Sequence, residues 1–378
     1  MLGKNIGVIG CGYRMREMIR LLLQVNSDHK IIEVYDPDKN SIKKLEDELG
    51  YTIKISRDYQ KVSENPKIDW VFIGSINAAH KEHIISAIKN NKNIFCEKPI
   101  AISLEECKEI MDFYEKNKII FFISYPLKYS PLYKKIKEFI DKEEIGDIVG
   151  IECNETLSFN HGSFIMTDWR RFEELSGGHL LEKCCHDIAI IIWLVGNLPK
   201  KIASFGGLDI FKEKNSQIYD DIKNTGEKLE FNDKKTPNPF VAEKDIVDNQ
   251  VAIIEFFNGV KLTFHTNCSS GIPERRIYIC GTKGTLRGDL ATGTIEFRKV
   301  GSTGKISQFH YSNNNTSHGG GDLILVKELN NALLYNKPTT HIDDAIKSAV
   351  TCILIDKARK EKKIIDLTPF WDDLNINY

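Results

Sequence analysis

Short β-branched runs alternate with helical periodicity along the N-terminal part of the chain. Asn5–Ile9 and Ile31–Tyr35 read as strands on either side of a helix over Arg14–Leu23. A helix over Lys39–Leu49 and strands at Thr52–Ile55 and Trp70–Ile73 continue the rhythm, followed by helices near Ala79–Asn90 and Leu104–Lys116 and strands at Asn93–Cys96 and Ile119–Ser124. Strands separated by helices of this length pair in parallel through right-handed crossovers, so residues 1–124 are expected to form an α/β Rossmann domain, a doubly wound parallel sheet.

The pattern changes in residues 125–378. After a helix over Leu132–Asp141, strands are expected at Ile148–Asn154, Gln250–Phe257, Val260–Cys268, Arg275–Cys280, Gly284–Gly288 and Gly293–Lys299, with few helices between them. Asn258-Gly259 marks a hairpin, because both residues tolerate positive φ. One internal helix over Gly178–Leu194 and two near the C-terminus, Leu323–Tyr335 and Asp343–Glu361, complete an α+β domain with a large open, mainly antiparallel sheet. The C-terminal helices could pack back on the first domain. Lys212–Lys244 is rich in Lys, Asp, Asn, Thr and Pro, and is expected to be a mobile surface insertion, a lid or an intersubunit arm.

At 378 residues the chain accommodates two cores. Its 52 Lys and Arg nearly balance 53 Asp and Glu, so no whole-chain field draws it to nucleic acid or an anionic membrane, and a small-molecule partner fits better. No apolar stretch approaches the ~20 residues of a bilayer span, and no signal peptide is read, so a cytoplasmic location is expected. The nine cysteines are scattered and set mostly in apolar runs, the usage of reduced thiols.

Gly10-Cys11-Gly12-Tyr13-Arg14-Met15 closes a strand and opens a helix, the context of a pyrophosphate-binding turn; Met15 stands where a third small residue is usual, and an ordinary structural turn stays open as an alternative. Asp36, ending the second strand, supplies a carboxylate for ribose hydroxyls and disfavours a 2′-phosphate, which favours NAD over NADP. Asp38 reads as a helix cap. Ser75, Asn77 and His80, then Glu97, Lys98 and Pro99, follow two further strands of the same sheet, where ligands of an open parallel sheet gather; Asn77 could instead be an N-cap. Glu182 and His186 share a helix face at i, i+4 spacing, although an isolated histidine there is more often a core residue. Adjacent Cys184 and Cys185 diverge on a helix and no second ligand pair completes a tetrahedron, so no metal is expected.

Together these motifs resemble the glucose-fructose oxidoreductase, inositol dehydrogenase and MocA family of NAD(P)-dependent sugar and polyol oxidoreductases. The resemblance extends through Tyr125 to Pro131, Trp169-Arg170-Arg171, Ser176-Gly177-Gly178, Glu182 to Asp187, Glu274-Arg275 and Gly281 to Gly284. It implies that Lys98, joined to Pro99 by a cis bond, contacts the reacting oxygen, and that His186 is the general acid/base, assisted by Glu182. The chemistry agrees: hydride leaves a secondary alcohol as its hydroxyl proton leaves, a histidine can take that proton near neutral pH, and a fixed cation stabilises the alkoxide. Gly10, Gly12, Tyr13, Arg14, Asp36, Ser75, Asn77, His80, Glu97 and Lys98 are the expected cofactor contacts. Substrate contacts are expected from Lys98, Tyr125, Lys128, His161, Trp169, Arg170, Glu182, His186 and His318. The family commonly has Asp at position 182 and Arg at 128, so Glu182 and Lys128 bear on substrate identity. His318-Gly319-Gly320-Gly321-Asp322 reads either as a loop ending in an Asp N-cap or as a pocket rim containing His318 or Asp322. Two further functions are open: glycoside hydrolysis by transient oxidation with recycled NAD, and noncatalytic NAD sensing. The resemblance also implies a homodimer or homotetramer.

Overall fold

The computed structural model describes residues 3–225, 237–311 and 317–378. They form two compact units, Met1–Tyr129 with Gly320–Val350, and Ser130–Gly319 with Thr351–Tyr378. In the first, six parallel strands, β1 (Asn5–Ile9), β2 (Lys30–Tyr35), β3 (Lys54–Ile55), β4 (Trp70–Ile73), β5 (Asn93–Cys96) and β6 (Phe121–Ile123), are ordered β3-β2-β1-β4-β5-β6. Helices cover both faces of such a sheet, which is why β4 is apolar at every position and wholly buried. Strand order reverses between β1 and β4, and the glycine turn leaves β1 at this switch point.

The helix Gly321–Tyr335 joins this unit, seating Leu325, Val326, Leu329 and Leu333 in one core with Met15, Ile19, Leu22 and Tyr129. Each such side chain contributes about 1.5–3 kcal/mol on burial. Its apolar stripe is visible in the sequence, but chain order does not show which core the stripe enters. The helix Ile342–Glu361 is divided between the units at Val350.

The second unit carries nine strands, β7 (Ile148–Thr156), β8 (Pro199–Gly207), β9 (Asn249–Phe256), β10 (Lys261–Asn267), β11 (Arg276–Gly281), β12 (Gly284–Asp289), β13 (Thr294–Lys299), β14 (Ser307–His310) and β15 (Ile365–Asp366), in the order β14-β13-β12-β11-β7-β10-β9-β8-β15. Pairing is antiparallel except between β7 and β10. Asn258-Gly259 closes the β9–β10 hairpin, with Gly259 at φ 83°. Strand β8 escapes sequence reading because paired lysines and glycines dilute its alternation.

The expectation of a poorly anchored loop over 212–244 is corrected for its described parts. Gln217–Asn224 is a helix, and Tyr219 and Phe240 pack with Phe211, Leu157, Ile165, Met166 and Cys268. The buried Asp248 carboxylate accepts the backbone N–H groups of Asp209, Ile210 and Phe211 at 2.6, 2.9 and 2.6 Å, fixing the entry to the segment. These anchors are too widely spaced to produce periodicity. Residues 226–236 lie outside the described residues. Among the described residues no helix is long and apolar enough to cross a membrane.

Candidate cofactor and substrate sites

The β1–helix turn is built for close backbone approach. Gly10 sits at φ 81°, donates its N–H to the Tyr35 carbonyl at 2.8 Å, and a Cβ there would lie 2.4 Å from the Ser75 nitrogen. Gly12 is the N-cap of the helix Tyr13–Val25, and a Cβ on it would meet nothing within 4 Å. No side chain caps this N-terminus and the space beside Gly12 is open, an arrangement suited to a bound pyrophosphate. The third small residue of the fingerprint has moved to the facing strand end: a Cβ on Gly74 would fall 2.7 Å from Met15 Cβ and 2.8 Å from Met15 Cε. Close helix–strand packing is thereby kept with Met15 buried.

Asp36 accepts the Cys11 N–H at 2.7 Å through one carboxylate oxygen and the Asp38 N–H at 2.8 Å through the other. The first oxygen also takes the Cys11 thiol at 3.5 Å, and the second retains a lone pair for a ribose hydroxyl. Asp38 caps the next helix at Asn40 N, 3.0 Å, as its position predicts. Burial and the Asp36 charge push the Cys11 thiol far above its ordinary range. These features fit NAD.

The loops after β4 and β5 are braced from behind. The Lys98–Pro99 bond is cis. His80 is fully buried, with Nδ1 2.6 Å from the Pro99 carbonyl and Nε2 3.1 Å from that of Ser75, so it braces the two loops against each other. Ser75 Oγ meets His83 Nδ1 at 2.9 Å, and burial followed by the His80 charge lowers the His83 imidazole to about 3. Asn77 is buried inside a short 3-10 turn, Asn77–Ala79, and Ile76 occupies the cap position, so the N-cap alternative does not hold.

Arg14 is committed to carboxylates rather than presented as a lone phosphate-binding cation. Its Nε lies 3.3 Å from Glu97, its Nη2 2.6 Å from Asp322 and its Nη1 3.1 Å from Glu17. Burial opposes its charge, and Glu97 and Asp322 more than offset that, raising its pKa. Asp322 belongs to the first unit and lies inside the first turn of Gly321–Tyr335, whose cap is Gly320, so the expectation that it is the N-cap is corrected. Tyr13 is exposed. Tyr125 is 2% exposed and offers a ligand almost no surface in this arrangement. Lys128 pairs with Asp344 at 3.2 Å and reaches the Thr339 carbonyl at 3.4 Å.

In the second unit Gly177 and Gly178, at φ 78° and 90°, turn the chain into the helix His179–Val195. At 100° per residue, Glu182, His186, Lys183 and Asp187 occupy one side of it. Glu182 and His186 are 6% and 5% exposed. Glu182 accepts from Arg170 Nε at 3.0 Å, and Arg170 Nη1 reaches Asp168 at 2.7 Å while its guanidinium lies 4.4 Å from the Trp169 ring centre. The His186 and His318 rings are 5.4 Å apart. His318, Gly319 and Gly320 all have positive φ (55°, 59°, 82°), the local reason for the glycine run. His161 Nε2 lies 3.3 Å from Lys183 Nζ.

One element of this site carried no assigned role in the sequence. Asp187, next to His186, receives Arg275 bidentately at 2.8 and 2.8 Å, and Arg275 also reaches Glu155 at 2.8 Å. Lys183 lies 3.5 Å from the same Glu155. This ion cluster locks the helix register beside His186, but its members are far apart in sequence and share no spacing. Among the described residues no group of three or more His, Cys, Asp or Glu is placed to hold a metal ion.

A family model described as "Oxidoreductase family, NAD-binding Rossmann fold" matches residues 4–125, and one described as "Oxidoreductase family, C-terminal alpha/beta domain" matches 137–367. The 2,7-anhydro-N-acetylneuraminate hydratase of Escherichia coli K12 is 25% identical over 334 residues, covering 88% of this chain and 80% of that one. The inositol 2-dehydrogenase/D-chiro-inositol 3-dehydrogenase of Lactiplantibacillus plantarum is 25% identical over 217 residues, covering 57% and 59%. For the first curated relatives the covered share of the relative runs from 53% to 88%. A levoglucosan dehydrogenase solved with NADH and levoglucosan superposes with a TM-score of 0.80 at 16% identity, over 96% of this chain and 99% of that one, which shows the common fold.

Proposed function

The chain belongs to the glucose-fructose oxidoreductase, inositol dehydrogenase and MocA family of NAD-binding oxidoreductases, and from that premise we propose that it exchanges hydride between a ring hydroxyl of a sugar, sugar derivative or cyclitol and NAD. The observation that carries this reading is the open helix N-terminus at Gly12 beside the Asp36 carboxylate, at the switch point of the parallel sheet. When bound, NAD supplies the hydride acceptor. First-turn N–H groups after Gly12 hold its pyrophosphate and Asp36 holds its ribose hydroxyls. His186 takes the hydroxyl proton, and Lys98 stabilises the negative charge that develops on the same oxygen. Glu182, oriented by Arg170, accepts hydrogen bonds from neighbouring substrate hydroxyls. The Asp187–Arg275 pair positions His186 from the adjacent helix position.

Incubating the protein with NAD and a panel of sugars, glycosides and cyclitols, while following both NADH absorbance and product mass, tests the reading. NADH forming in proportion to oxidised product is the expected result. A second reading is favoured by the hydratase relative, whose name describes a reaction with no net oxidation: product then appears without accumulating NADH. NAD binding with no product from any panel member defeats both.

Assembly as a homo-oligomer through the outer face of the nine-stranded sheet belongs to the same proposal. Phe205 is paired across the strands with Val251, and next to them lies Ile253; they are 68%, 44% and 59% exposed, on the face opposite buried Ala252 and Ile254. A contiguous exposed apolar patch of this kind marks an association surface.

A further inference from the structure

The helix face that carries His186 is rich in charge, yet the guanidinium groups beside it are already engaged. Arg170 is held between Glu182 and Asp168 at 3.0 and 2.7 Å. Arg275 lies at 2.8 Å from both Asp187 and Glu155, and Lys183 lies 3.5 Å from Glu155 and 3.3 Å from His161. Arg171, the remaining nearby guanidinium, spends its donors on backbone carbonyls of Thr167, Asp168 and Glu243. The cluster thus sets three cations, Arg170, Lys183 and Arg275, against four carboxylates, Asp168, Glu182, Glu155 and Asp187. Burial raises the Glu155 carboxyl despite Arg275, and Glu155 is shared between Arg275 and Lys183.

Resting on the function proposed above, we infer that this site takes a polyol or sugar bearing no carboxylate or phosphate. An acid sugar would bring an anion to a face whose guanidinium groups are engaged, and to gain a partner it would have to displace Glu182 or Asp168 from Arg170 or compete with Glu155 for Lys183. Desolvating that anion without a new ion pair opposes binding, whereas neutral hydroxyls are served directly by Glu182 and the histidines. Lys98, in its proposed role, is occupied at the reacting oxygen. The longer side chain of Glu182 is what reaches Arg170 here, so this residue sets the charge class. The conclusion separates this chain from the neuraminate hydratase relative, since N-acetylneuraminate derivatives carry a carboxylate.

The test is competitive binding to the NAD-loaded protein at pH 8, read by ligand-observed NMR, with matched pairs differing only at C6: glucose and glucuronate, galactose and galacturonate, and their methyl glycosides. Binding is read independently of turnover, so a failure of the dehydrogenase reading leaves this measurement interpretable. The neutral member of each binding pair is expected to bind at least tenfold tighter, about 1.4 kcal/mol. Glu182→Gln, which leaves Arg170 with Asp168 alone, is expected to shift that ratio at least tenfold towards the acid, with melting temperature measured to establish folding. Native protein that binds the acids as well as or better than their neutral partners overturns the inference, as does a folded Glu182→Gln variant with an unchanged ratio. The native comparison stands by itself if the variant does not fold.

Discussion

Asp36 stands between structure and chemistry, because the carboxylate that fixes the Cys11 N–H is also the group proposed to hold the ribose. Charge-assisted hydrogen bonds of this type are worth about 1.5–3 kcal/mol. Asp36→Asn is therefore expected to raise the KM for NAD by roughly 10- to 100-fold, with a much smaller change in kcat, and to narrow the preference over NADP; steady-state kinetics with both cofactors reads this. His83 makes a separate prediction about pH. Its folded pKa of about 3 lies below the ordinary value of 6.5, so the unfolded chain takes up the proton first. The stability this group contributes is fully present above about pH 6.5 and is lost as pH falls towards 3. Denaturant midpoints measured across that window should decline, and His83→Gln should show a shallower decline; equal slopes in the two proteins would contradict the assignment. At this scale the glycine turn, Asp36 and the Glu182/His186 pair were legible, since each depends on local spacing. The burial of His80 and Tyr125 was not, because residue type and position after a strand do not reveal what packs over a ring.

The contact between the helix Tyr13–Val25 and the end of β4 shows how an element can keep a motif's geometry after losing one of its letters. Gly74 accommodates Met15 from the opposite side, and a Cβ added there would press against the Met15 side chain. Gly74→Ala is expected to destabilise the protein by about 1–3 kcal/mol through overpacking. Met15→Ala in the same chain should recover part of that loss, and a double-mutant cycle in denaturant reads the coupling. Strict additivity would mean that the two residues do not share the contact. Elements with strong local periodicity, such as Asn5–Ile9, Lys39–Leu49 and Pro131–Asp141, were legible in outline. The short helix Tyr59–Glu64 and strand β8 were not, the first for lack of length and the second for its lysines and glycines. The parallel β7–β10 pair also escaped notice, since local patterning carries no information on which distant strand lies alongside.

For the whole molecule, the exposed pair of Phe205 and Val251 with neighbouring Ile253 predicts self-association. Light scattering after size exclusion should report a homo-oligomer for the native chain, and Phe205→Glu/Ile253→Glu should shift it towards monomer while leaving NAD affinity within a few-fold. A native monomer at micromolar concentration would defeat this part of the account. The two-domain character was legible because rhythm and composition change after Ser124, and a return of C-terminal helices to the first domain was open from the sequence, though not which core Gly321–Tyr335 enters. That helix and its Asp322–Arg14 pair join residues separated by most of the chain, and no spacing rule connects them. The central claim is that Lys98 and His186 carry the chemistry of an NAD-dependent oxidation. It is tested most directly by measuring substrate-dependent NADH formation and NAD affinity together in the native protein, Lys98→Ala and His186→Ala. General acid/base and oxyanion groups typically contribute about 10²- to 10⁴-fold, so both variants should lose at least that lower factor in kcat with NAD binding little changed. Full turnover in either folded variant would contradict the account.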